Sequence, residues 1–185
     1  MKKIVLTFGL ISGAVMSVLM LATMPFVEQI GFDRSLVVGY TTMVLAFLLV
    51  FFGIRAYREN VGGGFITFGR AFKVGILIVL ISSVCYVITW EFVYHTWLPD
   101  FPDKYANHLL EKARASGASA EEIAAQAEQI KNMRWILENP FLNAAVAFLE
   151  PLPVGLIMTL ISSVILKKRR PEEINGPEQL EQRTA

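Results

Sequence analysis

The chain has 185 residues, of which 54% are hydrophobic and 18% are charged, and its formal net charge is +1. Soluble domains usually carry about 25% charged residues, so this composition favours a membrane protein. The near-neutral charge excludes the strongly basic balance of a nucleic-acid-binding protein, and the length leaves no room for a separate catalytic domain. The single cysteine excludes a disulfide framework.

The first apolar block, residues 4–26, follows two lysines. A signal peptide also begins with basic residues, but its apolar core has only about 7–15 residues and a cleavage site follows it. This block is longer and lacks a convincing cleavage site, so we interpret it as an uncleaved transmembrane helix. Gly9, Gly13 and Ser17 recur four residues apart within it. Such a row lets another helix approach closely, either within the chain or in self-association.

The second and third blocks, residues 35–54 and 70–98, are also predicted to span the membrane. The second matches the ~20 residues that cross a ~30 Å hydrocarbon core. The third is longer, so its helix must tilt or project beyond the bilayer. Its end is rich in tyrosine and tryptophan, which are typical of a lipid–water interface, and Pro99 then stops the helix.

A glycine-rich link, residues 59–73, joins these two spans. It is not a phosphate-binding P-loop, because that motif requires Gly-Lys followed by Ser or Thr at the start of a helix. We interpret Gly62-Gly63-Gly64 as a flexible turn. Arg70 and Lys73 would then contact lipid phosphates at the membrane surface.

A polar stretch, residues 100–139, separates the third and fourth spans and is predicted to form a helical hairpin outside the bilayer. Ser116-Gly117 breaks its first helix, and Ser119 followed by Glu122 is a capping-box pattern for the second. One face of that second helix carries apolar residues at helical spacing: Ile123, Ala127, Ile130, Met133 and Leu137. This stripe would contact a protein or the membrane surface.

The fourth block, residues 141–166, contains Pro151 and Pro153. Each proline removes a backbone N–H and clashes with the carbonyl group four residues earlier, so the sequence predicts a kinked or broken helix. Broken membrane helices often line cavities, but a kink that only shapes packing is an equally ordinary result. Residues 171–185 lack periodicity and are predicted to form a disordered cytoplasmic tail.

The distribution of basic residues predicts how the chain is oriented. Basic residues concentrate on one predicted side of the membrane: Lys2, Lys3, Arg55, Arg58, Arg70, Lys73, Lys167, Lys168, Arg169 and Arg170. By the positive-inside rule this side is cytoplasmic, so both termini are cytoplasmic and the helical hairpin is external. We therefore expect a multi-pass membrane protein.

Two acidic residues, Glu91 and Glu150, lie inside predicted spans, where ionisable groups are costly and often functional. Both fall in the outer half of the membrane, and His95 follows Glu91 by one helical turn. The three residues are candidates for a small polar site that relays protons, holds a cation or binds a polar headgroup. Alternatively, each finds one hydrogen-bond partner near the interface and has no further role. No metal-binding pattern is predicted, because a zinc site requires at least three protein ligands.

Four features give the chain a family resemblance: the Lys-Lys start, residues 57–60, the Gly-Gly-Gly-Phe-Ile-Thr-Phe-Gly-Arg-Ala-Phe-Lys-Val-Gly stretch at 62–75, and Asp-Phe-Pro at 100–102. Over residues 2–170 the chain resembles the bacterial membrane proteins catalogued as domain of unknown function 4199. The resemblance implies a helical inner-membrane protein whose activity is unassigned. It implies no catalytic residue and no cofactor.

The sequence thus predicts an all-α protein, residues 1–170, with four transmembrane helices and an external helical hairpin between the third and fourth. Our first functional hypothesis is a non-enzymatic scaffold that binds a partner protein, or a second copy, through the hairpin or the first span. The alternative is a small oligomeric transporter with a polar site in the outer half of the membrane. An enzyme that acts on lipid headgroups, with Glu91 or Glu150 as the general base, is a third possibility.

Overall fold

The computed structural model describes residues 1–169, apart from the side chain of Glu28. The predicted tail, residues 171–185, lies outside the described residues. Four helical segments are long and apolar enough to cross a membrane, which confirms the predicted all-α, four-span fold. The helices are α1 (Lys2–Thr23), α2 (Val27–Ile30), α3 (Phe32–Asn60), α4 (Phe68–Thr96), α5 (Phe101–Ala115), α6 (Ala120–Glu138), α7 (Pro140–Leu149) and α8 (Leu152–Leu166).

The spanning helices are apolar around their whole circumference, as expected of helices that face both protein and lipid. α4 is the central helix and contacts α1, α3, α7 and α8. The core between them contains side chains with no exposed surface: Phe47, Val50, Ile54, Val74 and Ile78. Large apolar side chains on the outer faces are exposed instead: Val18, Val37, Ile88 and Ile165.

Small residues set the contact between α1 and α4. A Cβ atom at Gly9 would lie 2.8 Å from Ile81, and one at Gly13 would lie 2.6 Å from the Cβ of Cys85. The Ser82 hydroxyl donates to the Gly9 carbonyl at 3.1 Å, and the hydroxyl groups of Ser17 and Thr89 are 2.7 Å apart. The small-residue row of the first span therefore packs within the chain.

α3 and α4 extend to a common end of the bundle, where α1 begins and α8 ends; we call it the basic end. The last turn of α3 lies beyond the apolar block. There Arg55 Nε and Glu59 Oε1 pair at 2.9 Å, one turn apart. The loop after α3 pairs its Ile66 backbone with Lys168, just beyond α8. The glycine turn that the sequence predicts to be flexible is thus attached to the end of the last helix.

α5 and α6 pack against each other at the opposite end, which we call the hairpin end. Gly117, with φ +78°, lies in the turn between them, and Arg134 joins Asp103 across the pair at 2.7 Å. On the apolar stripe of α6, Ile130 is buried, Ile123, Met133 and Leu137 are half-buried, and Ala127 is exposed. The stripe is therefore only partly covered within the protein.

The predicted capping box of α6 is confirmed, and it makes the helix sensitive to acid. The Ser119 backbone N–H donates to the Glu122 carboxylate at 2.7 Å and the Glu122 N–H donates to the Ser119 hydroxyl at 3.2 Å. The first of these bonds holds the pKa of Glu122 below its usual value. A lowered pKa stabilises the folded state above the unfolded-state pKa, and this stabilisation is lost as the pH falls through the folded-state value.

We therefore expect the first turn of α6 to open on acidification, and Glu122→Gln to reduce the change. Hydrogen exchange of the amides in this turn, compared between the wild type and the variant from about pH 6 to about pH 3 after correction for intrinsic exchange, measures the effect. Identical pH dependence in both proteins would contradict it. Glu121→Gln is the matched control, because that neighbouring carboxylate is outside the capping box.

Candidate functional site

A cavity of about 320 Å³ lies toward the hairpin end, between α1, α3, α4, α5 and the junction of α7 with α8. Its walls are mainly apolar and include four methionines: Met16, Met20, Met24 and Met43. Methionine is unbranched and flexible, so a methionine-lined wall adapts to ligands of different shapes. The volume and the apolar lining are typical of a site for a small molecule.

Glu150 and Tyr86 form the polar part of this cavity. The Tyr86 hydroxyl, on α4, donates to Glu150 Oε2 at 2.8 Å, and both residues line the cavity. Within the described residues, Oε1 of Glu150 has no hydrogen-bond partner. A half-buried carboxylate therefore faces an apolar space with one oxygen unused.

The two prolines of the fourth span position Glu150. α7 ends at Leu149 and α8 begins at Leu152, so the helix is interrupted at Glu150 and Pro151. Both intervening residues keep helical backbone angles, and the Gly155 N–H donates to the Pro151 carbonyl at 2.9 Å. The interruption thus leaves the helix nearly continuous while it breaks the regular hydrogen bonding beside the carboxylate.

α5 covers the cavity from the hairpin end. Phe101 and Tyr105 line the cavity and are stacked with their ring centroids 5.7 Å apart. Phe32, at the start of α3, contacts both rings, and the adjacent Asp33 pairs with Lys112 at 2.8 Å. That ion pair is exposed and contributes little to stability, so the aromatic contacts are the main attachment of α5 to the bundle.

Glu91 and His95 form a separate pair on α4. The Glu91 carboxylate and His95 Nε2 are 3.2 Å apart, while the other carboxylate oxygen of Glu91 is buried and unpartnered among the described residues. Neither residue lines the cavity that contains Glu150. The structure therefore joins Glu91 to His95 and Glu150 to Tyr86. Among the side chains that the structure describes, it brings no three of His, Cys, Asp or Glu together as metal ligands.

Sequence reasoning missed two polar residues of this region because it considered only carboxylates and histidine as site residues within the spans. Tyr86 is the partner of Glu150, and Asn143 accepts a hydrogen bond from the Trp90 indole at 3.0 Å. Asn143 is almost fully buried and its side-chain nitrogen has no partner among the described residues. An amide inside an apolar span is itself a signal, since an unsatisfied polar group is costly there.

Arg70 and Lys73, the predicted lipid-phosphate contacts, line a second cavity, at the basic end. Its volume is about 760 Å³, and it lies beside the turn between α3 and α4. The two cavities occupy opposite ends of the bundle. They share no lining residue.

A comparison with protein-family models finds one described as "Protein of unknown function (DUF4199)", which matches residues 7–168. The match extends from the first span to the end of the fourth and includes every lining residue of the two cavities except Met1. No curated protein and no solved structure matches the chain.

Proposed function

The chain belongs to the DUF4199 family of proteins of unknown function, and from this premise we propose that it is a non-enzymatic membrane protein that binds a small, mainly apolar molecule beside Glu150. We place it in the bacterial inner membrane with both termini in the cytoplasm. The grouping of Arg55, Arg58, Arg70 and Lys168 at the basic end supports this orientation.

The observation that carries the proposal is the Glu150 carboxylate at the edge of an apolar cavity of about 320 Å³. A carboxylate within a membrane span is costly unless a partner compensates it, and Tyr86 occupies only one of its oxygens. The complementary ligand has an apolar body for the methionine and aromatic walls. It also has one cationic or hydrogen-bond-donating group, which would bind Glu150.

The scaffold hypothesis rests on the hairpin and on the exposed part of the apolar stripe of α6, since the Gly9–Gly13 row contacts α4 within the chain. The transporter hypothesis uses the same cavity but also requires a path to the basic end. The core on that route is filled by side chains without exposed surface: Phe47, Val50, Ile54, Val74 and Ile78. Binding is therefore favoured over conduction through a single chain.

Binding of a fluorescent amine tests the proposal. Dansylcadaverine has an aromatic body and a primary amine, and its N-acetylated form keeps the body without the cation. We expect the detergent-solubilised protein to bind the amine more tightly than the acetylated form. Glu150→Gln should weaken amine binding by about tenfold or more, because a hydrogen bond to a charged group contributes about 1.5–3 kcal/mol.

Two further variants control the measurement. Gly39 lines the cavity and a Cβ atom there meets open space, so Gly39→Phe should fill the cavity and prevent binding of both probes. Glu91→Gln removes a carboxylate that lies within a span but outside the cavity, and it should leave probe binding unchanged. The proposal fails if neither probe binds, or if neither Glu150→Gln nor Gly39→Phe changes the affinity for the probes. A stable oligomer without probe binding would return the scaffold hypothesis to first place.

A further inference from the structure

The turn at the basic end is a closed, hydrogen-bonded structure. The N–H groups of Gly62 and Gly64 donate to the carbonyls of Tyr57 and Arg58, at 3.1 and 2.9 Å. Ile66 and Lys168 then exchange both backbone hydrogen bonds, at 2.9 and 2.8 Å. The residues that follow the turn are therefore held at a defined distance from the segment that follows α8.

Three cationic side chains converge on the cavity beside this turn: Arg70, Lys73 and Lys168. The cavity has a volume of about 760 Å³, and none of the described residues that line it carries a carboxylate. Within the described part of the chain, none of the three cations forms an ion pair. Arg55 and Arg58 at the same end behave differently, because both contact Glu59. Among residues 1–169, no acidic side chain at the cavity offsets its positive charge.

The surroundings of these cations suit an anion with several oxygen atoms. The Lys168 ammonium lies 5.5 Å from the centre of the Phe65 ring, which keeps that side chain over the turn. The Arg70 guanidinium is a planar group of N–H donors that matches phosphate oxygens. Lys73, one helical turn further along α4, adds a compact positive charge. Tyr57 and Thr67 bring further hydroxyl groups to the cavity lining.

We propose that this basic cavity binds a phosphate-bearing anion, through Arg70, Lys73 and Lys168. The same chemistry recognises the headgroup phosphate of an anionic lipid and a soluble phosphate. The site is separate from the Glu150 cavity, and it does not depend on the function proposed above. It also explains why the basic residues of this region surround a recess rather than a flat surface.

Lipid retention measured by native mass spectrometry tests the lipid source. The full chain is released from nanodiscs of phosphatidylcholine with or without phosphatidylglycerol, and the bound lipids are counted. We expect retained phosphatidylglycerol in the wild type. The triple variant Arg70→Gln, Lys73→Gln, Lys168→Gln should weaken this binding at least about tenfold more than a control of equal charge. The control is Lys2→Gln, Lys3→Gln, Lys167→Gln, which lies at the same end but outside the cavity.

A second arm tests the soluble source. Inorganic pyrophosphate is titrated onto the protein in phosphatidylcholine nanodiscs, and its affinity is compared among the wild type and the two triple variants. Cavity-dependent binding in either arm supports the proposal and identifies the source. The proposal is overturned if neither anion binds, or if the control loses as much affinity as the cavity variant. Circular dichroism verifies folding; if either triple variant fails to fold, Arg70→Gln is compared with Lys2→Gln instead.

Discussion

Gly155→Ala is expected to destabilise the helix bundle by about 1–3 kcal/mol, the range observed for overpacking of a well-filled core. A Cβ atom at Gly155, on α8, would overlap Cγ1 of Val79 on α4 and lie 2.8 Å from its Cγ2. Val79 has no exposed surface, so it cannot move toward solvent. Membrane helices associate mainly through close packing, so separating two helices at this point weakens the whole interface.

Thermal unfolding of the detergent-solubilised protein measures this effect. Val79→Ala removes both obstructing methyl groups, so the double variant should be more stable than the sum of the two single effects predicts. Gly39→Ala is the control, since that helical glycine meets open space. Purely additive effects of Gly155→Ala and Val79→Ala would show that the two residues are not in contact.

Gly62→Ala is expected to open the turn at the basic end, at a cost of about 3 kcal/mol from steric overlap. A Cβ atom at Gly62 would overlap the carbonyl oxygen of Phe65 and lie 3.0 Å from that of Arg58. Both atoms belong to the backbone, so no side-chain rotation relieves the clash. The pairing of Ile66 with Lys168 should be lost together with the turn.

Hydrogen exchange at the Ile66 and Lys168 amides reports this opening directly. We expect fast exchange at both positions in Gly62→Ala and protection in the wild type. Gly69→Ala is a matched control, because Gly69 lines the same cavity but its Cβ meets open space. Retained protection in Gly62→Ala would mean that the turn has another closed conformation. If the basic cavity binds phosphate, Gly62→Ala should also weaken that binding.

The helical elements were predictable because their signals are local. Long apolar runs predict the spans, the Ser119–Glu122 pattern predicts the start of α6, and Gly117 follows the end of α5. Each of these features depends on residues within a few positions of one another. Hydrogen bonding within a helix and capping at its ends follow directly from such short patterns.

The candidate site was only partly predictable, because its partners are distant in the sequence. Glu150 is notable on its own, as a carboxylate in an apolar span, but its pairing with Tyr86 depends on how α4 and α8 pack. The predicted grouping of Glu91 with Glu150 assumed that similar depth in the membrane implies proximity. Depth does not determine which face of a helix a residue occupies, and here the contacts of Glu91 are with His95.

The spacing of glycines predicted the close helix contact of α1, but it did not predict the close contacts of the other spanning helices. The four-residue spacing of Gly9 and Gly13 marks a close contact, but Gly53, Gly75 and Gly155 have no second glycine four residues away. Each of them nevertheless contacts a side chain of another helix, at Ile78, Thr159 and Val79. Single glycines become interpretable only once the opposing helix is known.

The pairing of Ile66 with Lys168 has a consequence for how the protein is made. These residues are separated by roughly 100 positions, and the later one follows the last spanning helix. A ribosome produces the chain from its N-terminus, so the α3–α4 turn is synthesised long before the segment that contains Lys168. The basic cavity is therefore complete only after α8 has entered the bilayer. During biosynthesis, occupancy of this cavity would distinguish a fully inserted protein from one whose last span is still missing.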